Sequence, residues 1–552
     1  MTHVDTLTRT EGISARDRKV IVAASLGTVF EFYDFFLIGL VATEIAKAFF
    51  SGVNPTAGFI FTLLGFAAGF MLRPLGAIVF GRLGDLVGRK YTFLVTIVLM
   101  GGSTFLIGML PAYATIGVAA PILFVTMRML QGLALGGEFG GAMVYVAEHA
   151  PSDKRATYTA WIIMTAAIGF LLAVAVIIPL RLTLGPDAFT LWGWRVPFLI
   201  SIVLLGVSLW IRLKLDESPE FKRMKAEGKA SKSPLAETFG TWKNVRVIII
   251  AALCILPAQA VIWYTGQFYT LFFLTKVLKV ENLTANFMLI TATVLTAPLY
   301  VIFGRLSDKI GRKPVYIVGY LIAAIVTIPA FQGLTHFANP ALEAAQERAP
   351  ITIVADPQDC SFQFNPLGTA KFTKSCDVGI GAVTNLGLNY RSEDTAAGTV
   401  AAVKVGDRTI ASYPADAADA ATQKTRLDSE LKQALTDAGY PLGNANPDDV
   451  NCPAIIALLC VLLTLGAMVF APTTTSLLEM FPSRIRYTAM SFPYHLSAAW
   501  FGGFLPATAF AIVAATGNVY SGLYYPVCIA AACMVLSLIF ARETRGTDIS
   551  KG

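Results

Sequence analysis

The sequence predicts an all-α membrane protein: twelve transmembrane helices in two pseudo-symmetric six-helix bundles, with a small extracytoplasmic domain inserted in the second. Three observations predict it. Of 552 residues, 55% are hydrophobic and 14% charged, where a soluble domain carries roughly a quarter charged. Apolar stretches of about 20 residues, enough to cross ~30 Å of hydrocarbon as helix, recur along the whole chain. The chain also repeats itself. Residues 81–90 (GRLGDLVGRK) return as 304–313 (GRLSDKIGRK), and residues 148–157 (EHAPSDKRAT) return as 479–488 (EMFPSRIRYT). The first pair is 223 positions apart and the second 331, so the second half holds 108 residues that the first lacks.

In chain order, a cytoplasmic tail (1–19) precedes the first bundle (20–213), with spans at 20–46, 58–80, 91–110, 119–143, 158–180 and 196–213. A connector (214–245) leads to spans at 246–275, 286–303 and 314–336. The insert (340–451) follows, then spans at 453–478, 488–514 and 520–541 and a tail at 542–552. The first apolar run is too long, and lacks the small-residue cleavage pattern, for a removable signal peptide.

Lys and Arg gather in alternate loops: Arg16 to Lys19, Arg82 to Lys90, Lys154 and Arg155, Lys222 to Lys232, Arg305 to Lys313, Arg484 and Arg486, Arg542 and Arg545. The positive-inside rule places these loops and both termini in the cytoplasm, at a bacterial inner membrane. The net charge of +7 therefore orients the chain in lipid and does not point to nucleic acid.

The insert then lies outside. It carries 9 Lys/Arg against 15 Asp/Glu, a local net of −6, in a soluble pattern. An amphipathic helix is expected over 415–438, ended by Gly439 and Pro441, with strand-like runs over 399–410. Cys360 and Cys376 lie there on the oxidising side and are expected to pair, with Cys452 as the alternative partner. The domain is also a candidate surface for a periplasmic partner. Cys254, Cys460, Cys528 and Cys533 sit in apolar spans, where a thiol behaves as a small hydrophobe. Neither a CxxC nor a Cys/His cluster suggests a metal.

Ionisable groups inside the hydrocarbon cost a few kcal/mol and so mark a lined interior. The first span carries Glu31 and Asp34 about one turn apart, the second Arg73, and the fourth Arg128, Gln131 and Glu138. Positions 128, 131, 135, 138, 142 and 145 fall on one helical stripe. Gly132, Gly136 and Gly140 form another, which permits close helix contact. The two acids of the first span are expected to pair with the arginines of the second and fourth, one carboxylate exchanging a proton. The second half offers mainly neutral hydrogen-bonders and aromatics: Gln259, Tyr264 and Gln267 in the seventh span, Tyr494 and His495 in the eleventh. These suit substrate recognition, so proton chemistry is expected in the first half and selectivity in both.

The repeated loop places Gly81, Asp85, Gly88 and Arg89 in one half and Gly304, Asp308, Gly311 and Arg312 in the other. Topology anchoring explains the cations but not the two aspartates, so the loops read as a latch that holds the cytoplasmic faces together in one state.

The GxxxDxxGRK loop in both halves and Arg128 in RMLQGLALGG resemble the major facilitator superfamily. FEFYDFFLIG (30–39), MLQGLALGGEFGGA, GWRVPFLI (193–200), DESPEF (216–221) and EMFPSRIRYTAMSF look like its metabolite:proton symporter family. The resemblance covers nearly the whole chain outside the insert. It implies alternating access and uptake of a small carboxylate or zwitterion together with a proton. It also implies gating roles for Asp85, Arg89, Asp308 and Arg312, and proton or substrate coupling at Arg128. The chain carries no Walker loop, nucleophile elbow or HExxH, so an enzyme is not expected. With no ATP site or cofactor, a proton gradient is the expected driving force. A proton-coupled exporter and a non-transporting nutrient receptor are the competing readings.

Overall fold

The computed structural model describes residues 15–51, 55–214, 217–228, 231–364 and 372–547. The first residues of the amino-terminal tail, Asp216 of the DESPEF segment, residues 365–371 of the insert and the end of the carboxy-terminal tail lie outside them. Side chains of Arg16, Arg18 and Lys19 are likewise not described.

Helix covers every apolar stretch. Among the described residues, ten helices are long and apolar enough to cross a membrane, from Arg89–Met109 to Ser521–Phe540. The two that open the chain, Ala15–Leu40 and Pro55–Leu86, lie partly outside the described side chains. The first predicted span is broken: a helix ends at Leu40 and a second, Ala42–Phe49, begins after Val41. The fifth runs to Leu191 as two helices merged across Gly185, whose φ is +74°.

Each half packs as its own bundle. Gly132 and Gly136 are the reason the Ala119–His149 and Pro55–Leu86 helices can touch backbone to backbone. A Cβ on Gly132 would strike the Gly69 carbonyl, and one on Gly136 the carbonyl of Arg73. Gly140 instead meets Ser491 of the other half. The two halves cross-contact through Arg486–Ser497 against Pro55–Leu86 and Asn282–Ile310 against Arg155–Leu191.

The seventh predicted span, 246–275, lies within the helical stretch Trp242–Val277, which carries three π turns, Ala251–Ile255, Thr265–Tyr269 and Phe273–Val277. The eleventh carries a fourth, Ala498–Gly503. Such turns interrupt helices mostly at functional places.

Arg312–Ala338 starts at the repeated loop and is 27 residues long, which carries the chain about 40 Å at 1.5 Å per residue. The insert therefore stands at the end opposite the loops. It opens with a helix, Pro340–Arg348, capped by the Asn339 side chain on Leu342 N. A four-stranded sheet follows in the order β2-β1-β3-β4: β1 (Ile351–Ala355), β2 (Arg391–Asp394), β3 (Ala402–Val405) and β4 (Arg408–Ala411). The strand-like run of the sequence is thus a β3–β4 hairpin turning at Gly406, φ +56°. β1 and the helix Ser375–Thr384 had no sequence signal assigned to them. The amphipathic helix spans Ala420–Asp437, shorter than the pattern at its start, where residues 414–419 form turns. Leu427, Leu431 and Leu435 pack with Ile351, Ile353, Val403 and Ile410 in a core separate from that of the bundles. Cys360 and Cys376 are bonded, and Cys452 is free.

Candidate functional site

Two arrangements involve both halves: a set of caps and ion pairs at the loop end, where the latch is expected, and a cavity between the halves. At the latch, each repeated aspartate caps a helix of the opposite half. Asp85 accepts from Thr488 N (3.0 Å), Thr488 Oγ1 (2.8 Å) and Tyr487 N (3.3 Å), at the start of Arg486–Ser497. Asp308 accepts from Thr157 N (2.8 Å), Thr157 Oγ1 (2.6 Å) and Ala156 N (3.1 Å), at the start of the Arg155 helix. A carboxylate there satisfies orphan N–H groups and meets the positive end of the helix dipole.

The cations complete the pattern. Arg89 lies 3.4 Å from Asp85 and 3.5 Å from Glu148, which also meets Arg486 at 3.3 Å. Across the pseudo-axis, Arg312 lies 2.7 Å from Asp308 and 3.1 Å from Glu479, which also meets Arg155 at 3.0 Å. Arg89 further donates to the Ser483 carbonyl of the other half at 3.0 Å.

The glycines have steric roles. Gly81 lies against the Thr488 backbone and Gly304 against the Ala156 carbonyl, where a Cβ would intrude. Gly88 and Gly311 have φ of +132° and +110°, a region open to glycine. A Cβ on Gly88 would run into Glu217, and one on Gly311 into Glu543. Those two glutamates accept from the first N–H groups of the next helices, Glu217 from Arg89 and Lys90 and Glu543 from Arg312 and Lys313.

Sequence reasoning named the loop residues but not their partners. The missing set is Glu148, Arg155 and Thr157 with Glu479, Arg486 and Thr488. The signal was present, because these are the letters that EHAPSDKRAT and EMFPSRIRYT share in register.

The cavity lies between the halves, its free volume only about 30 Å³. Glu31, Arg73, Gln259, Tyr264, Tyr494 and His495 all line it, with Phe35, Phe139, Trp263 and Phe470 among its aromatic walls. Arg73 lies over the rings of Phe70 and Phe35, at 4.0 and 5.2 Å, and is hydrogen-bonded to Tyr264. Both ring nitrogens of His495 are buried, and among the described residues neither has a hydrogen-bond partner. Gln267 is buried but not in the lining.

The remaining predicted residues form the interior of the first bundle. Asp34 accepts from Thr104 Oγ1 at 2.8 Å, Thr104 accepts from Gln131 Nε2 at 2.5 Å, and Arg128 donates to Gln131 Oε1. Guanidinium and carboxylate are thus joined through two neutral side chains. Glu138 accepts from Thr96 at 2.7 Å and pairs with Arg212, a residue the sequence reading passed over because it sits at the end of the sixth span. Arg212 reaches Glu138 over Gly27, whose missing side chain leaves its path open. Asp34 and Arg128 are therefore linked by a relay, Glu31 and Arg73 share the wall of the central cavity, and Glu138 takes a third arginine. Glu31 occupies the wall common to two spaces: it lines the central cavity and also a smaller one in the first bundle, together with Asp34 and Glu138.

Comparison with known proteins agrees with this architecture. Residues 24–334 match the family model described as Major Facilitator Superfamily, and residues 438–551 match that of Sugar (and other) transporter. The chain is 35% identical to the proline/betaine transporter of Salmonella typhimurium, over 57% of this chain and 64% of that one. It is 37% identical to the inner membrane metabolite transport protein YhjE of Escherichia coli, over 59% and 74%. It is 36% identical to the shikimate transporter of Escherichia coli, over 58% and 73%. The match thus spans a little under two thirds of the first relative's length. Among solved structures, the proton:xylose symporter XylE bound to 6-bromo-6-deoxy-D-glucose aligns with a TM-score of 0.63 at 16% identity, covering 98% of this chain and 99% of that one. XylE from E. coli in a partially occluded inward-open conformation aligns with a TM-score of 0.56 at 15% identity, covering 97% and 100%.

Proposed function

The chain belongs to the major facilitator superfamily, a family of multi-pass membrane transporters and not of enzymes, and from that premise we propose that it is a proton-coupled symporter of a small zwitterionic or carboxylate metabolite. The observation that carries the reading is the central cavity: among the described residues one carboxylate, one guanidinium and a ring of aromatics, shared between halves that are joined at one end by Asp85 and Asp308. Arg73 supplies a counter-charge for a carboxylate. The faces of Trp263, Tyr264 and Phe35 suit a cationic nitrogen. A substrate bearing both groups satisfies both, so a betaine- or proline-like zwitterion fits better than a polyanion. The relatives named as proline/betaine and shikimate transporters bracket that choice.

Glu31 is the proton carrier in this reading. It is within reach of substrate on one side and of the Asp34 and Glu138 interior on the other. Neutralising it as substrate enters lowers the cost of closing the cavity. The latch faces the cytoplasm by the distribution of Lys and Arg. Breaking it lets the two bundles rock and exposes the cavity to the other side. No cofactor is required, because the proton gradient supplies the driving force.

Purified protein in proteoliposomes, given a panel of proline, glycine betaine, shikimate and citrate with an imposed pH gradient, tests the reading. Expected is accumulation of at least one of them that a protonophore abolishes. Indifference to the gradient for every compound overturns symport. Gradient-driven extrusion alone identifies an exporter, and binding without flux a receptor.

A further inference from the structure

The insert is bonded to the second bundle at the ends of two particular helices. Ala445 N donates to Lys279 O at 2.9 Å and Asn339 Nδ2 to Leu278 O at 3.0 Å, just past the end of Trp242–Val277. Tyr390 N donates to Gly517 O at 2.8 Å and Tyr390 Oη to Ala514 O at 2.6 Å, at the end of Leu505–Thr516. Val519 N in turn donates to Asn389 Oδ1 at 2.7 Å. These are the helical stretches that bring Gln259, Trp263 and Tyr264, and Tyr494 and His495, to the central cavity. They are also the ones interrupted by π turns.

At this junction lies a cleft of about 410 Å³, far roomier than the central cavity and inside the roughly 300–1,000 Å³ range of small-molecule sites. Its walls come from both sides of the junction: Gln346, Asn389, Arg391 and Tyr440 from the insert, Asn518 and Tyr520 from the loop that follows Leu505–Thr516. The insert as a whole carries a net −6, yet among the described residues no acid lines this cleft and its single charge is Arg391. Among the described residues that guanidinium has no ion pair, and its residue is exposed. Asn389 is already committed, to Gln346 Oε1 at 2.8 Å and to Val519 N, and Tyr520 Oη donates to Thr335 Oγ1 at 2.8 Å. Polar walls held by their own hydrogen bonds, around one cation, suit a small anion.

We propose that this cleft is a second solute site, which takes a small carboxylate-bearing molecule with Arg391 as its counter-charge and tightens the hold of the insert on the two cavity-lining helices. The site stands on the cleft alone and does not depend on transport or its direction.

Hydrogen exchange of the full chain in nanodiscs tests it, with glycine betaine, proline, shikimate and citrate each added as probe to wild type and to Arg391→Ala. Arg391 is exposed at the start of an edge strand, so its truncation spares the insert core. Expected is at least a three-fold slowing of exchange at the amides of 389–391 and 516–520 by one or more probes, abolished by the substitution, while any protection over 259–264 from the central cavity is retained. Absence of slowing with all four probes overturns the proposal. So does slowing that survives in Arg391→Ala, which would place the cause in the central cavity. The symport reading is judged separately, by the flux experiment.

Discussion

The carboxylate of Asp85 holds both the backbone N–H and the hydroxyl of Thr488, 403 positions away, at 3.0 and 2.8 Å. The Asp308–Thr157 pair repeats the geometry in the opposite sense. Each half thus grips the other by the same chemistry.

Asp85→Asn and Asp308→Asn keep the shape and remove the charge. Hydrogen bonds to a charged group contribute roughly 1.5–3 kcal/mol, so each substitution is expected to shift the closed-to-open ratio at this end about 10- to 100-fold. Spin labels at the exposed positions Val87 and Lys309 should report a longer distance population in both variants. Unchanged distances would mean that the latch does not set the state.

Glu148 sits between Arg89 and Arg486, and Glu479 between Arg155 and Arg312, with every one of these side chains buried. Removing one partner of a buried ionic cluster costs about 3–5 kcal/mol. Glu148→Gln and Glu479→Gln are each expected to lower the thermal midpoint in detergent by several degrees, and by similar amounts because the clusters are equivalent. A near-silent substitution at either position would show that the pseudo-symmetry is geometric only.

In the cavity, Glu31→Gln is expected to abolish gradient-driven accumulation while leaving substrate exchange across the membrane. Arg73→Lys keeps the charge but loses the planar fork, and KM should rise at least about tenfold, the equivalent of ~1.4 kcal/mol. Accumulation undiminished in Glu31→Gln would move the proton carrier elsewhere in the first bundle.

Gly136→Ala places a methyl against the Arg73 carbonyl and Ala77 N, whereas a Cβ on Gly102 meets nothing within 4 Å. Overpacking typically costs 1–3 kcal/mol, and glycine in an open helical position is up to about 1 kcal/mol worse than alanine. The two substitutions should therefore move the thermal midpoint in opposite directions. Similar shifts would contradict the close packing of the second and fourth helices.

In the insert, the backbone N–H groups of Gly398 and Gln358 hold the Asp356 carboxyl below its ordinary value of 3.8. A depressed carboxylate contributes stability that is fully present above the unfolded value and drains away as pH falls through the folded one. Proteolytic resistance of the insert is expected to hold at pH 5 and above and to decline below about pH 4. Asp356→Asn should flatten that decline, and an unchanged profile would assign it to other carboxylates.

Much of this protein was legible in one dimension because its information is local. Hydropathy over twenty residues marks a helix in lipid, Lys and Arg counts mark the loops, and a decapeptide repeated at a fixed offset marks a duplicated bundle. Glu31, Arg73, Gln259, Tyr264, Tyr494 and His495 could be named because a polar group among apolar neighbours is conspicuous wherever it finally points. Partnership was not legible in this way. Arg212 looked like the end of a span until the fold carried it over Gly27 to Glu138. Asp34 and Arg128 looked like partners, and the fold joins them through Thr104 and Gln131. Even the repeat yielded its residues and withheld its wiring. That Asp85 caps the helix begun by Arg486 is a fact about two segments brought together only when the halves assemble, and nothing in the neighbourhood of either segment encodes the other. Composition and periodicity determined what each helix is, while the docking of one bundle on the other, and of the insert on the second, decided which charges face which.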